Sequence, residues 1–258
     1  MNILEKIIEH KKLEVAKQKK LMPVDKLEKL PFYNRATLSL QRFVTDEKRT
    51  GIIAEFKRQS PSKGIINDRD SVEAVTKAYA DFGASGISIL TDTPFFGGSL
   101  DDLQCARDNN VPLLRKDFMI DEYQVIEAKA YGADVVLLIA ACLSPKEIKQ
   151  LASTANNLGL EVLLELHEES ELGHICESVH LVGVNNRNLR SFEVNLEHSI
   201  NMAGKIGNEF VKIAESGIDS TDTIRYLKNN GFHGFLIGEY FMKQENPMDA
   251  FKEFAQQI

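Results

Sequence analysis

The chain is expected to fold as an α/β protein, a (β/α)8 TIM barrel with an N-terminal helical extension. Three observations lead there. Eight short apolar runs follow one another from residue 51 onward, helical segments separate them, and several runs stop on a charged or amide residue, as at Lys116, Glu165, Asn185, Glu215 and Glu239. Short runs of this kind, alternating with helices, imply a parallel sheet buried on both faces. An open doubly wound sheet uses the same alternation but more often has fewer strands, and the chain carries neither GxGxxG nor a Walker A sequence. Eight units favour closure, and a closed barrel keeps its chemistry at the strand C-termini.

Strands are expected at 52–56, 87–90, 113–114, 135–139, 162–166, 181–184, 211–214 and 235–237. Helices are expected at 71–82, 122–131, 145–158 and 221–230, often with glycine near the helix end. Ahead of them Ile3, Leu4, Ile7, Ile8 and Val15 recur at helical spacing, so the opening segment reads as an amphipathic helix that covers one end of the barrel. Its lysines, Lys11 and Lys12 through Lys19 and Lys20, are read as a solvated face because acids lie between them. No linker composition divides the chain, so 1–258 is expected to be one domain, with 1–48 as the extension.

A formal charge of −7 argues against nucleic acid or a membrane surface as partner. Cys105, Cys142 and Cys176 are isolated thiols, as in a reducing compartment. With no signal-peptide core and no apolar run near the ~20 residues of a membrane span, the expectation is a soluble cytoplasmic protein.

Glu55 and Lys57, two apart on a strand, point to the same side. Taken alone they are as readily a structural salt bridge. Lys116 and Glu165 at other strand ends weaken that reading, because charges converging on a low-dielectric mouth are costly unless paired or used. Arg115 and Asp117 are expected to point outward, and a partly desolvated lysine among other cations has a lowered pKa and donates a proton near neutral pH. After the seventh and eighth runs, Ser216-Gly217 and Gly238-Glu239 let backbone amides approach an anion, as in the usual barrel phosphate site. His10, His167, His174, His180, His198 and His233 are dispersed and read as surface or core residues; there is no HExxH and no GxSxG. The chemistry expected is acid–base, with no metal and no cofactor.

Five segments carry a resemblance. They are 53–64 (IAEFKRQSPSKG), 90–92 with 95–99 (LTD, FFGGS), 114–118 (LRKDF), 182–189 (VGVNNRNL) and 214–217 (AESG), and in this order the chain resembles indole-3-glycerol phosphate synthase along nearly its whole length. The resemblance implies a barrel that converts 1-(2-carboxyphenylamino)-1-deoxyribulose 5-phosphate into indole-3-glycerol phosphate, carbon dioxide and water in tryptophan biosynthesis. It implies Lys116 as general acid for ring closure, Lys57 at the substrate carboxylate or as a donor in dehydration, Glu165 as an acid–base group of dehydration, and Glu55 as the residue that holds the lysines. Asn185 and Glu215 would position substrate hydroxyls, and Ser60, Ser216, Gly217, Gly238 and the Glu239 amide would line the phosphate site. Phe96, Phe118 and Leu189 would pack on the anthranilate ring, with Arg187 on its carboxylate side. Glu239-Tyr240 departs from the small residues many members carry there, which leaves a backbone contact only. The implied protein is a monomer whose partner is a phosphorylated small molecule, with other enzymes of the pathway as further partners. The rivals are a phosphoribosylanthranilate isomerase, which would need a Cys and Asp pair, and a catalytically silent barrel that binds a partner.

Overall fold

The computed structural model describes residues 2–188 and 193–258. Eight strands, β1 (Ile52–Phe56), β2 (Gly86–Leu90), β3 (Leu113–Lys116), β4 (Val135–Ile139), β5 (Glu161–Leu166), β6 (Leu181–Asn185), β7 (Val211–Glu215) and β8 (Gly234–Ile237), pair in parallel with their chain neighbours. β8 returns to β1 and closes the barrel, as the strand series predicts. β3 runs two residues past its expected end, and the outward Arg115 within it is buried between Asp117 and Glu127, at 3.0 and 2.9 Å, whose charges offset its desolvation.

The four expected helices form at Val72–Asp81, Glu122–Ala130, Pro145–Asn157 and Thr221–Asn229. Each begins where a short polar side chain, Ser71, Asp121, Ser144 or Ser220, accepts a hydrogen bond from a first-turn N–H. Such a cap stabilises a helix by roughly 0.5–2 kcal/mol. Their apolar faces meet the outer face of the sheet in one continuous core that includes Val75, Val125, Ile148 and Ile224.

Three helices precede β1: α1 (Ile3–Leu21), α2 (Val24–Leu27) and α3 (Leu40–Thr45). It is α3 that closes an end. Leu40 and Val44 join Ile53, Leu181, Val211 and Ile213 inside the barrel, and they fit only because Gly86 and Gly234 lack side chains. A Cβ at those glycines would stand 2.5 Å from Leu40 and 2.6 Å from Val44. Burial of two such aliphatic side chains contributes about 1.5–3 kcal/mol each.

α1 instead runs along the opposite rim, past the loops that follow β2 and β3. Here the structure departs from the solvated-face reading. Lys11 is wholly buried, with its ammonium 2.9 Å from Asp92, 3.0 Å from Asp117 and 3.0 Å from Glu14. Burial alone would lower its pKa, but the three carboxylates outweigh that and raise it. A run of lysines hides which one is buried, because the acids that receive it lie far along the chain.

Candidate active site

Inward-facing side chains at the strand C-termini build the upper layer of the barrel. Register places Glu55 beside Ser88 and Asn185 beside Glu215. Two glycines make room for the carboxylates. A Cβ at Gly183 would lie 2.1 Å from Glu215 Oε1, and one at Gly238 would lie 2.6 Å from Glu55 Oε1. Gly238 therefore serves a neighbouring side chain as well as any approaching anion.

The charges of this layer contact one another. Lys57 Nζ donates to Glu55 Oε1 at 2.8 Å, and Ser88 Oγ donates to Glu55 Oε2 at 3.3 Å. Lys116 Nζ donates to Glu165 Oε2 at 3.0 Å and stands 3.7 Å from Glu215 Oε2. Asn185 Nδ2 donates to the other oxygen of Glu165 at 2.8 Å, while its own Oδ1 accepts from the Arg187 N–H at 3.0 Å. Glu215 Oε1, fully buried, has no hydrogen-bond partner among the described residues.

This geometry reverses one expectation from sequence. Arg115 does point away, but Lys116 then faces carboxylates rather than cations. Burial pulls its pKa down, and Glu165, Glu215 and Glu55 more than offset that, so the ammonium is held above its ordinary value. Glu165 is pushed the other way: burial would raise it, and Lys116 outweighs burial and holds it ionised. Glu215 goes up to about 8, first through burial and then through Glu165, so it carries a proton at neutral pH. Glu165 and Glu215, neighbours in one site, settle into different protonation states.

Above these groups the mouth opens into two adjoining cavities. The smaller, about 120 Å³, is lined by Glu55, Lys57, Phe96, Lys116, Phe118 and Asn185 among others. Its aromatic wall is Phe96 and Phe118, ring centroids 6.0 Å apart. The larger, about 310 Å³, within the range of small-molecule sites, is lined by Lys57, Ser60, Arg187, Ser216, Gly217, Gly238 and Glu239 among others. Ser216 and Gly217 both have φ of +68°, a conformation costly for the serine. The Ser216 carbonyl accepts from Asn186 Nδ2 at 2.7 Å, which helps hold that turn. Arg187 reaches across to Glu239 at 3.7 Å.

Every candidate within the described residues therefore converges on one mouth; Leu189 lies outside the described residues. Two participants were missed by sequence reasoning. Ser88 carries no motif, and His167, read as a surface or core histidine, is buried at the end of β5 with Nε2 3.0 Å from Glu165 Oε1. The signal for His167 was its position two residues beyond Glu165, on the same face. Cys142, the nearest thiol, is pushed up to about 12 by burial and by Glu165 and Glu171, which makes it a poor base and weakens the isomerase reading.

Comparison with known proteins meets the same conclusion from another side. The family model for indole-3-glycerol phosphate synthase matches residues 4–254. An indole-3-glycerol phosphate synthase of Bacteroides thetaiotaomicron is 45% identical over 258 residues, covering 100% of this chain and 99% of the relative. One from Campylobacter jejuni subsp. doylei is 41% identical over 256 residues, with 97% and 98% covered. Among solved structures, tryptophan synthase subunit alpha from Legionella pneumophila aligns with TM-score 0.60 at 11% identity, over 84% of this chain and 94% of that one, a likeness of fold alone. No described helix is long and apolar enough to cross a membrane. Matched nearly end to end by the family model and by relatives of this identity, the chain belongs to the indole-3-glycerol phosphate synthase family.

Proposed function

We propose that the mouth of this barrel performs the family's reaction with Lys116 as the acid of ring closure. The activity is that of an indole-3-glycerol phosphate synthase, a carboxy-lyase of tryptophan biosynthesis acting on a phosphorylated small molecule. The observation that carries the assignment is the position of Lys116, charged, between Glu165 and Glu215 and facing a cavity with an aromatic wall.

The anthranilate ring packs against Phe96 and Phe118 and its carboxylate meets Lys57, while Arg187 stands in the larger cavity beside Glu239 rather than on the carboxylate side. As the ring carbon attacks the ribulose carbonyl, its oxygen gains the character of an alkoxide, a far stronger base than a lysine amine, and takes the proton from Lys116. Loss of carbon dioxide returns an electron pair to the ring and restores aromaticity. Dehydration then moves one proton off the substrate and one onto the departing hydroxyl, with Glu165 and Lys57 as the acid–base groups and Glu55 holding Lys57. Glu215, protonated, donates to a substrate hydroxyl that Asn185 also contacts. Ser60, Ser216, Gly217, Gly238 and the amide of Glu239 receive the phosphate. The chain acts as one domain and as a monomer in the cytoplasm, which sedimentation at working concentration checks.

Indole fluorescence on mixing with 1-(2-carboxyphenylamino)-1-deoxyribulose 5-phosphate tests the reading against a low background, since the chain contains no tryptophan. Lys116→Met is expected to cut turnover by roughly a hundredfold or more, the usual loss of a general acid, with the fold retained. A wild-type rate in that variant removes Lys116 from the role.

A further inference from the structure

The proposed reaction has a proton balance that the mouth alone does not meet. Ring closure adds one proton to the carbonyl oxygen, decarboxylation needs none, and dehydration removes one and adds one. Each turnover therefore takes up one proton, and the groups that supply it, Lys57 and Lys116, have side chains only 16% and 17% exposed, toward the cavity that substrate fills. A route on another side of the site is needed if recharging is to occur before product leaves.

His167 lies on such a route. Its Nε2 is 3.0 Å from Glu165 Oε1, the oxygen that Lys116 does not use, and its Nδ1 is 4.0 Å from Glu171 Oε2. The ring is buried, yet neither nitrogen has a well-aligned hydrogen-bond partner among the described residues. The backbone on either side is fixed: the His167 N–H donates to Glu171 at 2.6 Å, and its carbonyl oxygen lies 3.0 Å from His198 Nε2. Glu171, at the start of the short helix Glu169–His174, is half-buried and leads outward to the exposed Glu168 and Glu169. Two further titratable neighbours face the path: His174, whose Nδ1 is 3.0 Å from the Glu171 carbonyl oxygen, and Cys142, beyond β4, which is close enough to feel both Glu165 and Glu171.

Resting on the functional reading above, we propose that Glu171 and His167 form a proton path from solvent to Glu165, which recharges the site while substrate or product covers the mouth. His167 accepts a proton at Nδ1 from the Glu171 side and releases the Nε2 proton to Glu165 Oε1, so the ring is neutral before and after and only N–H and O–H bonds change; tautomer exchange of the imidazole between turnovers restores the Nε2–H form. One water or a small turn of the imidazole spans the 4.0 Å gap. His167 acts through Glu165 and is a positioning residue rather than a catalytic one.

The test compares His167→Gln, which keeps an N–H beside Glu165 but relays nothing, with His167→Ala and Glu171→Gln, all checked for folding by circular dichroism. For His167→Gln the expectation is a kcat loss of roughly tenfold with KM nearly unchanged and a larger solvent deuterium isotope effect on kcat. Added imidazole should restore His167→Ala and leave His167→Gln unaffected, and Glu171→Gln should lower kcat in the same direction. A wild-type kcat and isotope effect in His167→Gln overturns the path, as does equal loss in His167→Gln and His167→Ala with no response to imidazole. Absence of turnover in the wild-type protein would be failure of the functional reading itself, seen before any variant is made.

Discussion

At the bottom of the barrel Asp134 is wholly buried and both of its oxygens are filled. Arg35 and the Leu38 N–H hold one at 2.5 and 2.8 Å; Arg107 and the Leu113 N–H hold the other. At the top, Glu55, Glu165 and Glu215 share two ammonium groups, and Glu215 Oε1 is left without a partner among the described residues. The carboxylates of both clusters are buried. The lower one leaves neither oxygen of its carboxylate unbonded, and serves the fold. The upper one retains unmet hydrogen-bonding capacity and split protonation states, which substrate can use.

That difference is breakable by mutation. Asp134→Ala should remove about 3–5 kcal/mol of stability, the usual cost of stripping one partner from a buried ion cluster, read by urea denaturation, with kcat of the folded protein unchanged. A large kcat loss with stability intact would dissolve the distinction between the two ends. Gly183→Ala probes the upper cluster by steric means: the added methyl displaces the Glu215 carboxylate, and kcat should fall roughly tenfold through misplacement while the melting temperature moves little. An unchanged kcat would mean that the position of Glu215 is not critical.

The third effect is a slope, small over any one pH unit. Glu215 holds its proton in the folded state up to about 8 and loses it in the ordinary carboxylate range when unfolded. Over that window the folded state binds the extra proton, so this group's contribution to stability is lost as pH rises. Relative to Glu215→Gln, the wild-type protein should lose about 1 kcal/mol per pH unit there. Parallel pH profiles of denaturation midpoint would place Glu215 in a more solvated state than its burial implies.

The strand series and the four helices between the strands were legible in the sequence because they depend on local pattern: apolar runs, helical segments between them and glycine near the helix ends. Glu55, Lys57, Lys116 and Glu165 were legible as a group because charge at the end of an apolar run is conspicuous. What the sequence hid is set by partners distant along the chain. Lys11 looked like its neighbouring lysines until Asp92 and Asp117 met it, and Lys116 looked acidified until three carboxylates surrounded it. Gly183 reads as an ordinary strand glycine, and only the closed barrel brings the Glu215 carboxylate against it.

The α3 plug has a bearing on the order of events during synthesis. Leu40 lies against Gly86 near the start of the barrel, whereas Val44 lies against Gly234 in its final strand. A ribosome therefore releases the plug long before the socket exists. An early segment of the chain has to wait for the last strand, and its docking reports that the ring has closed.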